Sequence, residues 1–407
     1  MIPLLGTLLT VGGLLALGLN LWVLLQHFLT IDVPAAITHP VKFWILSYFF
    51  QLSITWGTVL EKLRICSMPG FISFLQSLFK PTKDPKVVVQ DLRFGTIPVR
   101  LFQPRRACPG LRRGIIFYHG GGAVFGNLDF YHNLCSDLAL KTDSVLLLIG
   151  YRKLPDHHHP SVSRDCMNAS IHFLKALSTY GVDPFRVVAC GDSLGGGLAV
   201  KITQDLLCMP ELPQIRAQVL IYALLQLLNY QLPSHRMNQN VPFLTRNFMM
   251  NCLCRYLDID PSWQDTMLKG GFIAPETWKK YRKWLSSDNI PQKFKNKTQE
   301  PEFPSSFNES AHLETICLLD DLVSPLLVDD EVIARLPEAF LVSCENDVLR
   351  DDTLLYKKRL EDQGVPVTWY HVEDGFHGCI LFCDKKPFSF PCSQTIMDAV
   401  VSYIKGI

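Results

Sequence analysis

Hydrophobic and polar positions divide the chain into three regimes. Ile2 to Gln26 carries no charged residue and is rich in Leu and Gly. At about 1.5 Å rise per residue, such a helix crosses a bilayer core of roughly 30 Å. A cleaved signal peptide fits less well: Lys and Arg are missing ahead of the run, the run is too long, and no clear small-residue cleavage site follows. The pattern predicts an uncleaved transmembrane anchor over 1–27. Phe43 to Leu60 is a second uncharged stretch, with Trp44, Tyr48, Phe49, Phe50 and Trp56 interleaved with Gln51, Ser53 and Thr55. It reads as helix lying on a bilayer surface or closing over an active site, in preference to a second span. Residues 28–85 then form a membrane-proximal aromatic region, a possible part of a cap.

From Val87 the texture changes. Residues 87–94 and 97–103 alternate like a hairpin. Apolar strands then alternate with helix patterns: strand 113–118, helix 129–141, strand 144–150, helix 161–179, strand 186–191, helix 195–208, strand 216–224. This is the rhythm of a mostly parallel sheet with helices on both faces. It breaks over 226–330, where helix patterns, Trp263, Trp278, Trp284 and the basic run Lys279 to Lys283 suggest a mostly helical insertion, a cap over the C-terminal edge of the sheet. It returns with strand 339–344, helix 351–362, strand 366–371 and helix 393–405. The fold class predicted is α/β, its core split into 86–225 and 331–407.

The 407 residues are 48% hydrophobic and 19% charged, enough to build a large core. A formal net charge of +1 excludes a field built for nucleic acid. The 13 cysteines are scattered and show no zinc spacing, so neither a metal nor another cofactor is expected. His157, His158 and His159 lack a helical i,i+4 pair or a nearby Cys and read as surface loop.

The chemistry concentrates in four stretches. Arg186 to Cys190 is an apolar strand, a helix pattern follows Ser193, and Gly191-Asp192-Ser193-Leu194-Gly195 lies between them. On a strand–turn–helix this G-x-S-x-G spacing is a nucleophile elbow, with the serine exposed above the sheet edge. Upstream, the strand Ile115 to Tyr118 runs into His119-Gly120-Gly121-Gly122. Consecutive glycines can turn backbone N–H groups onto one point, as an oxyanion requires. A serine hydroxyl needs a general base, and the base an orienting acid. Two later strand ends supply them: Glu345, Asp347, Asp351 and Asp352 after one, and His377, set between Gly375 and Gly378, after the other. Asp347 falls on the turn itself, whereas Asp351 and Asp352 fall where helix 351–362 begins and read as its N-terminal caps.

Together, His119-Gly120-Gly121-Gly122, Gly191-Asp192-Ser193-Leu194-Gly195-Gly196, Asp347-Val348-Leu349-Arg350-Asp351 and Asp374-Gly375-Phe376-His377-Gly378 resemble the hormone-sensitive-lipase-like branch of the α/β-hydrolases. The N-terminal anchor and Tyr151-Arg152-Lys153-Leu154-Pro155 are similar to the arylacetamide deacetylase group, and the similarity spans almost the whole chain. The resemblance implies an α/β-hydrolase fold with Ser193 as nucleophile, His377 as base and Asp347 as its partner. It further implies an oxyanion hole from the N–H groups of Gly121, Gly122 and Leu194, and a structural role for His119 in holding the glycine loop.

The resemblance also implies a single-pass type II protein of the endoplasmic reticulum with a lumenal catalytic domain. Lys42, the only basic residue soon after the anchor, points faintly to the cytoplasm instead. The acceptor triplets beginning at Asn168, Asn296 and Asn308 would be lumenal if used.

Three positions depart from the family pattern. Leu194 stands where Ala is usual, keeping the N–H but adding bulk beside the acyl site. Tyr-Arg-Lys-Leu-Pro-Asp replaces Tyr-Arg-Leu-Ala-Pro-Glu. Val124 stands where some relatives carry a cysteine, so a disulfide from Cys344 to that position is not available. The function expected is a membrane-anchored serine esterase or deacetylase acting on lipophilic esters or amides. The alternative is a catalytically weak ligand-binding member of the same fold, for which Leu194 is the only support.

Overall fold

A computed structural model describes residues 2–295, 303–383 and 387–407, with side chains from Thr10 onward. Eight strands form one sheet in the order β1-β2-β4-β3-β5-β6-β7-β8. β1 (Val87–Phe94) and β2 (Ile97–Pro104) are the predicted hairpin, paired antiparallel. β2 also pairs antiparallel with β4 (Ser144–Ile149), and all later neighbours are parallel: β3 (Arg112–Tyr118), β5 (Val182–Asp192), β6 (Ala217–Ile221), β7 (Glu338–Asn346) and β8 (Val367–Phe376).

Alternation along the strands feeds two cores. Ile116 and Tyr118 of β3 face one layer, with α5 (Ser161–Lys175), α6 (Leu194–Leu206) and α13 (Arg350–Asp362). Ile115 and Phe117 face the other, with α4 (His132–Thr142) and α14 (Pro391–Gly406). Strands buried on both faces need continuous apolar runs, and β4 is buried at all six positions.

Three strand ends differ from expectation by three residues or more, the first being the start of β5, already at Val182. β6 stops at Ile221 because the chain turns at Tyr222, whose φ is +38°. β8 runs on to Phe376, directly before His377. Between β6 and β7 lie short helices: α7 (Pro233–Met237), α8 (Arg246–Leu257), α9 (Gln264–Leu268), α10 (Pro275–Leu285), α11 (Glu309–Thr315) and α12 (Asp330–Ile333). Asn296 lies outside the described residues.

α1 (Ile2–Thr30) and α2 (Pro40–Lys62) are both long and apolar enough to cross a membrane. α2 packs on the body of the α/β fold: Phe43 is fully buried against Phe376, Phe243 and Phe390. α3 (Met68–Ser77) packs on α2 at Gly57, where a Cβ would meet Met68 Cγ at 2.9 Å.

Candidate active site

The serine sits where β5 meets α6. Its backbone is held at φ 55°, ψ −125°, a sparsely populated region for a residue with a Cβ. That turn requires small neighbours. A Cβ on Gly191 would lie 2.2 Å from the Gly195 carbonyl oxygen, and one on Gly195 would lie 1.9 Å from that of Tyr118. The Ser193 N–H donates to Ile221 O at 2.9 Å, tying the elbow to β6.

His377 Nε2 lies 2.9 Å from Ser193 Oγ, and His377 Nδ1 lies 2.8 Å from Asp347 Oδ2. An ionised carboxylate only accepts, so Nδ1–H donates to it and Nε2 is left to accept from the hydroxyl. All three side chains are nearly buried. The ring of Tyr222 packs on His377, centroids 4.8 Å apart.

The glycine loop comes beside the serine. A Cβ on Gly120 would meet Ser193 Cβ at 3.0 Å. Gly121 and Gly122 have φ of +107° and +57°, which glycine adopts without strain. Among the described residues neither N–H has a protein acceptor. Leu194 opens α6, so its N–H belongs to the unpaired first turn. Of the three, Leu194 N–H lies at the start of α6, where the helix dipole favours negative charge.

Asp192 joins the elbow to this loop. It is 2% exposed and accepts from Gly120 N–H and from Tyr131 Oη–H, each at 2.9 Å. Burial raises its pKa to about 6. His119 is buried against Tyr151, rings stacked at 4.1 Å, with Nδ1 2.8 Å from Gly120 O. Burial lowers its pKa to about 3, so it stays neutral and braces the loop. Tyr131, which ties Asp192 to Gly120 N–H, carries no sequence signal.

The acid turn differs from the sequence-based expectation in one respect. Asp351 and Asp352 are not N-terminal caps of α13: the residue at that position is Leu349, whose N–H donates to Asp347 Oδ1 at 2.9 Å. Both aspartates are fully buried and face the inserted segment instead. Asp351 accepts from Ser234 N–H (2.7 Å) and pairs with the fully buried Arg350 (2.9 Å). Asp352 accepts from Leu225 N–H, Gln226 N–H and the Gln226 amide. Asn238 donates to the carbonyls of Glu345 and Asp347, both at 2.9 Å, and Ser234 Oγ to that of Val348. Asn346 donates to Glu373 O and Gly375 O, holding the approach to His377.

Leu194 is half-buried and lines an apolar cavity of about 30 Å³ with Gly197, Leu198, Leu224, Leu253 and Val323. Of the three adjacent histidines, His158 is exposed, while His159 packs edge-on against Tyr256 of α8.

A mostly parallel sheet with a serine at one strand–helix elbow, and a carboxylate and a histidine closing on it from later strand ends, defines an α/β-hydrolase. A family model described as alpha/beta hydrolase fold matches residues 115–283 and 294–381. Within that class the chain belongs to the arylacetamide deacetylase-like proteins, an esterase/deacetylase-type family. It is 61% identical over 407 residues to the mouse "Arylacetamide deacetylase-like 4 family member 1", covering 100% of both chains. It is 63% identical over 391 residues to the human "Arylacetamide deacetylase-like 4", covering 96% of each. The crystal structure of carboxyl esterase 2 from Tuber melanosporum shares the fold, with a TM-score of 0.60 at 20% identity over 80% of this chain and 89% of that one.

Proposed function

We propose that the chain is a membrane-anchored serine hydrolase that cleaves ester or amide bonds of lipophilic molecules through an acyl-enzyme on Ser193. The observation that carries this reading is the continuous relay from Ser193 Oγ through His377 to Asp347, at 2.9 and 2.8 Å. His377 Nε2 takes the hydroxyl proton as Oγ attacks the carbonyl carbon. The developing oxyanion is met by the N–H groups of Gly121, Gly122 and Leu194, backbone donors that require no side-chain rearrangement. Collapse expels the alcohol or amine, which receives the proton from His377. Water, deprotonated by the same nitrogen, then releases the acid. Asp347 holds the imidazole in the required tautomer and stabilises its cation.

Leu194, directly after the nucleophile, sets a bulky side chain next to the acyl site. Short acyl groups are therefore the favoured substrates. The anchor is α1, with the catalytic domain in the endoplasmic-reticulum lumen. Asn308, at the start of α11, is exposed, in keeping with that side, whereas Asn168 lies within α5 and is the least credible acceptor. Protease added to sealed microsomes leaves the domain intact without detergent if this topology is right.

Hydrolysis of acyl esters of graded chain length tests the reaction. Wild type turns over acetyl and propionyl esters fastest, Ser193→Ala is inactive, and Leu194→Ala gains on longer chains relative to acetyl. Equal ester turnover by Ser193→Ala refutes the mechanism.

A further inference from the structure

α2 has two opposed apolar faces. The inner face reaches both loops that flank Ser193. Phe43 packs on Phe376, the residue before His377, with ring centroids 4.9 Å apart. Phe50 stacks on Phe125 at 5.4 Å, and the backbone carbonyl of Phe125 closes over Gly121, where a Cβ would lie 2.6 Å from it.

The outer face carries Val41, Ile45 and Phe49 at i, i+4 and i+8, with exposures of 71%, 42% and 57%. Exposed apolar residues continue through Leu63 and Ile65 after α2, through Phe74, Leu78 and Phe79 on and after α3, and through Phe28 and Leu29 at the end of α1. Single exposed apolar residues need no explanation, but so many on three consecutive helices that pack on one another argue for an interaction surface.

Charge narrows the choice of occupant. Between residues 62 and 83 stand Lys62, Arg64, Lys80 and Lys83, all exposed, with no acidic residue among them. Glu61, just before them, is already paired with Arg255 at 2.6 Å. A second copy of this chain across a two-fold axis would set bases against bases. Lipid headgroups, phosphate-bearing and partly anionic, complement an apolar face rimmed with Lys and Arg. α2 is also packed on α1 through His27 and Gln51 (2.7 Å), and α1 enters the bilayer on the proposed reading.

We propose that this α1–α3 face seats the catalytic domain in a lipid bilayer, which makes α2 the contact between the membrane and the two loops beside Ser193. The inference rests on the membrane-anchored hydrolase reading and extends it: the domain itself is held at the surface, and its ester substrates enter from the lipid phase.

The test uses the full chain in phosphatidylcholine vesicles containing phosphatidylserine, with a protease site inserted in the exposed turn at Ala35–Ala36. After cutting, the wild-type domain stays with the vesicles. Ile45→Ser/Phe49→Ser/Phe79→Ser leaves them, its bound-to-free ratio lower by at least about tenfold. The three substitutions leave the α1–α2 partners His27 and Gln51 (2.7 Å) in place. Phe49, however, packs on Tyr48 and Tyr48 on His27 (ring centroids 5.5 and 5.8 Å). Leu78→Ser/Phe79→Ser, which touches neither, is therefore run beside them and leaves the vesicles as well. Release of the wild type on cutting, or equal retention of wild type and variants, overturns the proposal. So does a dimer in detergent that the triple variant converts to monomer.

Fluorophosphonate labelling of Ser193 runs in parallel. Labelling of the triple variant shows that its site is folded, and if it is lost, Leu78→Ser/Phe79→Ser takes its place in the same comparison. Failure of the wild type to label counts against the hydrolase reading and leaves the partition result to stand on its own.

Discussion

The two halves of the site are held by different means. Ser193 and the glycine loop are fixed from within the sheet, by positions where no Cβ fits: Gly191 against Gly195, Gly195 against Tyr118, Gly120 against Asp192. Asp347 and His377 are fixed from outside, by side chains that donate to backbone carbonyls across long sequence separations. Asn238 and Ser234 come from the inserted segment, and Asn346 spans from β7 to the end of β8. The first half is steric at these glycines, with Asp192 and His119 hydrogen-bonding the loop from within the core. The second is a hydrogen-bonded latch between the core and its insertion, and it can loosen without disturbing the elbow.

Breaking the latch at its acid gives the largest effect. Asp347→Asn sets an amide against His377 Nδ1 and removes the preference for the productive tautomer, so ester turnover falls by roughly 10⁴ while the melting temperature stays nearly unchanged. Turnover and thermal unfolding of the same preparation check both parts.

Asp351→Asn separates stability from chemistry. It breaks a fully buried ion pair with Arg350 and weakens the bond to Ser234 N–H, costing about 3 kcal/mol. The expected result is a clear drop in melting temperature, with turnover per folded molecule largely kept at low temperature. An unaffected melting temperature would mean that the insertion is not held through this contact.

Asp192 tests the steric half through pH. Folded Asp192 holds its proton up to about pH 6, against an ordinary value of 3.8. Between those values the native state binds more protons than the unfolded one, so this group's contribution to stability falls as pH rises through that window. The advantage of wild type over Asp192→Asn is therefore largest near pH 4 and shrinks by on the order of 2 kcal/mol by pH 7. Denaturant titrations at the two pH values measure it.

Asn238→Ala gives the smallest effect. Two carbonyls of the acid turn lose a donor, and turnover drops about tenfold with KM little changed. Rescue by Asn238→Ser would show that the donor matters and not the volume.

The steric half was legible in the sequence for a physical reason. A strained elbow and inward-turned N–H groups demand glycine at fixed spacings, so Gly191, Gly195 and Gly120 to Gly122 stand out without knowledge of any partner. Strand-to-loop order likewise indicated Asp347 and His377. The latch was not legible, because Asn238 and Ser234 act over separations of more than a hundred residues and look like any polar residues of a helical stretch. For the same reason Asp351 and Asp352 read as helix caps: acidic residues at a helix start have a local explanation, and only the packed insertion shows that they point into it. Tyr131, which joins Asp192 to the glycine loop, is one aromatic among many in this chain.

The relay from Ser193 to Asp347 is the central claim, and covalent trapping tests it most directly. The protein is treated with a fluorophosphonate, digested, and mapped by mass spectrometry as a function of time. The account predicts a single adduct on Ser193 that forms rapidly in the wild type and slows by at least about a hundredfold in His377→Ala, where no base accepts the hydroxyl proton. No adduct on Ser193, or one that forms equally fast without His377, would contradict it.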